Sequence, residues 1–150
     1  MRRISLVVVV AALVGAGGWY VGHAVSRCPG CHTLDAHQAT WRSQHLVDYS
    51  YVYEEGGMAC CDRVRVTVHA GRVTHTEVLH ELYPRAKKPT VDDVFSAARH
   101  EMHVADGVTV QYDNRYGFPM SVNVDPNDHA MDDEWGFRIE QFRRLTPANA

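Results

Sequence analysis

Tyr49-Ser50-Tyr51-Val52-Tyr53-Glu54-Glu55-Gly56-Gly57, continued by Asp62-Arg63-Val64-Arg65-Val66-Thr67-Val68, is the stretch whose reading decides the fold. Side chains alternate sides along a strand, so Tyr49, Tyr51 and Tyr53 share one face. Val64, Val66 and Val68 share one face of the next strand in the same way. The chain turns at Gly56-Gly57 and passes through Cys60-Cys61 between the two. Ala70-Gly71 is a two-residue hairpin turn, and Val73 to Leu79 return as a third strand. The three tyrosines read as one packed sheet face rather than a binding platform.

Upstream, an amphipathic helix is expected from Thr33 or Leu34 to about Val47, with Leu34, Trp41 and His45 or Leu46 roughly on one side. Downstream, a linker carrying Pro84, Lys87 and Lys88 ends at Thr90, an N-cap with Asp93 three residues on. Val91, Val94, Phe95, Ala98 and Met102 then recur at helical spacing, and Gly107 stops the helix. Val108, Val110 and Tyr112 alternate on a strand, Asn114 to Pro119 turn, and Met120, Val122 and Val124 form the next strand. An acidic loop from Asp125 to Glu134 leads to a last strand with Trp135, Phe137 and Ile139 on one face. The order is helix and three strands, twice, divided near Pro84. Neither half buries its sheet face with one helix at this size, so the two units share one core. The fold class expected is α+β, an antiparallel sheet with helices on one face.

The 150 residues suffice for one domain, and 45% apolar content suits a globular chain. Arg2 and Arg3 precede an uncharged run from Ile4 to Gly22. That run fits a secretory signal, with Ala24-Val25-Ser26 offering a cleavage site, and equally a transmembrane anchor, which needs about 20 residues. Arg27 stands where a lipobox before Cys28 would need a small residue. Residues 1–26 are therefore read as signal peptide or membrane anchor, and residues 27–150 as a single exported domain outside the cytoplasm. Losing Arg2 and Arg3 takes the formal net charge from −3 to about −5, which sets nucleic acid aside as a partner.

Four cysteines in an exported chain suggest disulfides. Cys28 and Cys31 precede the first helix, while Cys60 and Cys61 lie between the first two strands. Two bridges between the pairs would staple the N-terminal segment to the domain, each contributing about 2–4 kcal/mol. Cys28-Pro29-Gly30-Cys31-His32 also matches the attachment pattern of c-type haem, in which two thiols add to the vinyl groups and His32 lies beneath the iron. Met58, Met102 or a histidine would supply the sixth ligand. Haem c is the cofactor alternative, against a reading with no cofactor. Zinc held by Cys28, Cys31, His32 and one of the vicinal cysteines is a weaker reading, because adjacent cysteines chelate awkwardly. A redox-active C-x-x-C would want a strand before it, and an export segment stands there instead.

Asp125, Asn127, Asp128, Asp132, Asp133 and Glu134 offer calcium ligands, yet Ala130 and Gly136 occupy the positions an EF-hand gives to glycine and glutamate. His75 and Glu77 share a side with Val73, as a polar pocket or an exposed edge would have them. No nucleophile elbow, phosphate loop or H-E-x-x-H appears, so no catalytic residue is assigned and enzymatic activity is not expected.

Tyr49 to Tyr53, Cys60-Cys61, Val64 to Val68 and Gly71-Arg72-Val73 resemble the first half of an exported bacterial family, domain of unknown function 6174. Thr90 to Phe95, Val110 to Asp113, Tyr116-Gly117-Phe118-Pro119 and Asp132 to Glu134 are similar to its later landmarks, in order, so the resemblance spans about residues 40–143. Members typically carry C-x-C where this chain has adjacent cysteines. The resemblance implies no activity and does not reach Cys28 to His32. The expectation for function is a non-enzymatic envelope module that binds another protein or a surface ligand. The alternative is a membrane-tethered c-type haem protein using Cys28, Cys31 and His32.

Overall fold

The computed structural model describes Cys28 and residues 30–57, 61–81 and 88–146. The expected signal or anchor, Met58, Cys60 and most of the linker lie outside the described residues. Two helices and six strands follow one another as α1 (Cys31–Ser43), β1 (Tyr49–Gly57), β2 (Cys61–His69), β3 (Arg72–His80), α2 (Val91–Val104), β4 (Gly107–Tyr112), β5 (Pro119–Asp125) and β6 (Trp135–Arg144). The strands form one antiparallel sheet in the order β3-β2-β1-β6-β5-β4, so an α+β fold is confirmed. The last strand lies beside the first, at the centre of the sheet. Among the described residues no helix is long and apolar enough to cross a membrane.

Local sequence accounts for most element ends. At the head of α2, Thr90 Oγ1 accepts from the Asp93 N–H at 3.2 Å and Asp93 Oδ2 accepts from the Thr90 N–H at 2.8 Å, a complete capping box. The helix ends at Val104 because Ala105 takes extended backbone; Gly107 opens β4 rather than stopping the helix. Helix α1 is shifted from its expected span. It begins at Cys31, after Gly30 at φ 90°, and ends at Ser43, two residues before His45 turns left-handed at φ 50°. His45 is consequently exposed, and Leu46 reaches the core from the loop.

The core forms where the helices meet the sheet. Leu34 and Trp41 of α1 and Val91, Val94, Phe95 and Ala98 of α2 pack over the three tyrosines of β1, the three valines of β2, Val122 and Val124 of β5, and Phe137 and Ile139 of β6. All of these are buried. The tyrosine hydroxyls are not idle in this apolar layer. Tyr51 donates to the carbonyl of Pro89, and Tyr49 accepts from the backbone N–H of Val91 at 3.2 Å. Val91 is the first residue of α2, so Tyr49 satisfies one of the orphan N–H groups of that helix. Tyr53 donates to Glu55 at 3.1 Å.

The two helices run antiparallel against each other. Arg99 bonds Asp35 at 2.6 Å, and at the other end Arg42 pairs with Asp92 at 3.5 Å, while Trp41 Nε1 donates to Asp92 at 3.4 Å. The start of α1 therefore sits beside the end of α2.

Candidate functional site

Strand alternation that buries the tyrosines turns Val52, Glu54 and Gly56 to the other face of the sheet. Strand order then supplies their neighbours. Glu54 faces Arg63 of β2 on one side and Arg138 of β6 on the other. Its carboxylate lies 3.0 Å from Arg63 and 3.3 Å from Arg138, and Glu140 closes the group at 3.0 Å from Arg63. Glu54 is only 14% exposed, so its pairing is shielded from water. Two carboxylates and two guanidiniums balance in charge, while each arginine keeps further donors for an outside partner.

Along the same face lies a cleft of about 420 Å³, bordered by Glu54, Cys61, Ser121, Asn123, Trp135 and Arg138, with Gly56, Gly57 and Gly136 among its walls. A Cβ on Gly136 would lie 2.6 Å from the Val122 carbonyl oxygen, so that position must remain glycine for β5 and β6 to pair this closely. Cys61 is a free thiol. Desolvation, then the neighbouring Glu54, push its pKa up, which keeps it protonated at neutral pH and makes it a poor nucleophile. A second cleft, about 490 Å³, opens where β5 stops pairing with β6, between Tyr116, Phe118 and Met120 on one side and Ile139 to Phe142 on the other.

The expected staple between the two cysteine pairs is not what forms. Cys28 and Cys31 are bonded to each other. The reason is placement. Helix α1 packs on the core face, whereas Cys61 is paired with Gly56 and borders the cleft of the opposite face, so the sheet separates it from Cys31. His32 is exposed on α1. The third group beside the two sulfurs is His103, from the last turn of α2: one ligand atom each from Cys28, Cys31 and His103 lie within 4.8 Å of one another. Met102 flanks them, its Cε 3.5 Å from the point a Gly30 Cβ would occupy. The haem donors Cys28, Cys31 and His32 are all present, but attachment and the disulfide compete for the same two sulfurs.

Other candidates disperse. Among the described residues no further set of three potential ligands converges, so the acidic loop between β5 and β6 does not gather its oxygens around one point. His75 and Glu77 are exposed on edge strand β3, with Glu77 paired to Arg65. Sequence reasoning missed the Glu54–Arg63–Arg138–Glu140 group and His103. Period-two alternation marks the first four as outward-facing; nothing local marks them as neighbours. His103 has no spacing motif with the cysteines at all.

Among the described residues the arrangement is a two-layer domain, with one sheet face packed beneath two helices and the other carrying charged pairs and a cleft. The chain belongs to the family of unknown function DUF6174, whose model matches residues 33–144. No curated protein and no solved structure matches it. The match takes in all six strands and the open face, and begins just after Cys28, Cys31 and His32.

Proposed function

We propose that this chain is a non-enzymatic binding module of the cell envelope that presents its open sheet face to another protein or a surface ligand. Residues 1–26 act as signal peptide or membrane anchor and deliver residues 27–150 outside the cytoplasm. The domain is a doubled helix-plus-three-strand unit, a reading supported by the repeated element order and by β1 and β6 meeting at the centre of the sheet. The observation that carries the binding role is the open face itself. Among the described residues no helix packs on it, its charges are held in place by mutual ion pairs, and a cleft runs beside them. Preorganised charged groups around a concavity are what a recognition surface needs.

The test is site-specific photo-crosslinking in the producing cell. Probes at Arg65 and Asn123 on the open face are expected to give discrete adducts, and probes at Asp35 and His100 on the helices none. Adducts confined to the helix probes, or absent throughout, would overturn the reading. Intact mass of the same protein, made in a host competent in haem attachment, is expected to show no added haem, with Cys28 and Cys31 alkylated only after reduction. A haem mass surviving reduction would replace this reading with a membrane-tethered c-type haem protein using Cys28, Cys31 and His32.

A further inference from the structure

The junction of α1 and α2 carries chemistry that the open face does not use. Two sulfurs three residues apart and an imidazole from the other helix converge at the start of α1. Their ligand atoms lie within 4.8 Å of one another. Donors bound to one tetrahedral ion at 2.0–2.3 Å stand about 3.5–4 Å apart, so only a small closure separates this set from a coordination site. The sulfurs are the exception, being bonded to each other and therefore unable to act as thiolates.

We propose that reduction of Cys28–Cys31 opens a site for a soft or borderline d10 cation, zinc(II) or copper(I), held by both sulfurs and a ring nitrogen of His103. The reductant is a dithiol. It gives two electrons and two protons to the bridge, yielding two thiols here and a disulfide on the reductant. The cation then displaces both thiol protons, forming two metal–thiolate bonds and one bond to neutral imidazole, with two protons released to solvent. A disulfide oxidant reverses the step: it accepts the two electrons of the bound thiolates and two protons from solvent to become two thiols, and the re-formed Cys28–Cys31 bridge releases the ion.

Three further features favour the site. Cys31 is the first residue of α1, its N–H donates to the Cys28 carbonyl at 3.2 Å, and Gly30 offers no side-chain cap, so the positive end of the helix dipole favours thiolates here. The thioether of Met102 lies beside the same turn, with Sδ 3.9 Å from the point a Gly30 Cβ would occupy, a fourth donor suited to copper(I); water serves zinc(II) equally well. His103 is exposed, so its ring is free to turn towards the sulfurs.

The experiment uses the full chain in detergent, reduced with a dithiol, freed of reductant without oxygen, and titrated with zinc(II) or copper(I) against a chromophoric chelator. The reduced protein is expected to bind one equivalent at least about a hundredfold more tightly than the oxidised protein, with two protons released per ion. His103→Ala is expected to weaken binding at least about tenfold, whereas His32→Ala leaves it unchanged. The tighter of the two cations names the class the site takes. His103 lies on an exposed last turn, and an unaltered thermal midpoint of oxidised His103→Ala shows that the fold is kept. Equal affinity of reduced and oxidised protein, or full affinity in His103→Ala, would overturn the proposal. None of these readouts depends on what the open face binds.

Discussion

Gly117 sits at φ 81° in the Tyr116-Gly117-Phe118-Pro119 turn, with Phe118 and Pro119 buried behind it. A Cβ here would lie 2.9 Å from the His37 carbonyl oxygen and 3.0 Å from Thr40 Cβ, both on α1. The contact is with helix backbone, which cannot rotate aside, and the left-handed conformation adds its own cost for any side chain. Gly117→Ala is expected to destabilise the domain by about 2–4 kcal/mol, read from the urea midpoint. A change within experimental error would show that α1 can move away from this turn at no cost. The residue explains why a glycine stands between two aromatics that want burial: the turn lets Phe118 enter the core only if the backbone slides under α1. Sequence shows the turn, but the helix lying over it is supplied by packing.

At the scale of elements, β1 and α2 are tied through tyrosine hydroxyls rather than through apolar contact alone. Burial pushes the pKa of Tyr49 up to about 12, and pushes Tyr51 and Tyr53 up as well, with nearby acidic groups adding to the effect. In the unfolded chain these phenols lose their protons near pH 10. The folded state holds more protons than the unfolded state above that point, so their contribution is fully present below about pH 10 and is lost as pH rises through the folded values. Tyrosinate absorbance and far-ultraviolet circular dichroism are expected to change together on alkaline titration. Ionisation of all the tyrosines near pH 10 with the sheet intact would contradict this linkage. Elements with strong local signals were the legible ones. The capping box and apolar stripe place α2 correctly, while α1 starts earlier than its pattern suggests because the left-handed Gly30 sets its first turn.

Across the whole molecule, the sheet order β3-β2-β1-β6-β5-β4 puts Glu54 between arginines 9 residues away on one strand and 84 on another. Removing its charge leaves Arg63 and Arg138 facing each other without the shared carboxylate. Glu54→Gln is expected to cost about 1–3 kcal/mol in thermal or urea unfolding, more than Arg138→Gln, whose side chain is 55% exposed. Equal effects would mean that the network is too well solvated to matter. The sequence by itself determined which residues of β1, β2 and β6 face inward, where α2 begins, and that the fold is α+β. Those properties follow from side-chain periodicity and capping, which act over a few residues. On β3 a bulge opposite Thr67 and Val68 puts His75 and Glu77 on the face opposite Val73. Only the tertiary structure decided that the sheet separates Cys61 from Cys28 and Cys31, that His103 joins those two, and that Glu54 bridges two strands. Such neighbours are set by how helices and strands pack around a common core, and no spacing along the chain encodes which distant segments will touch.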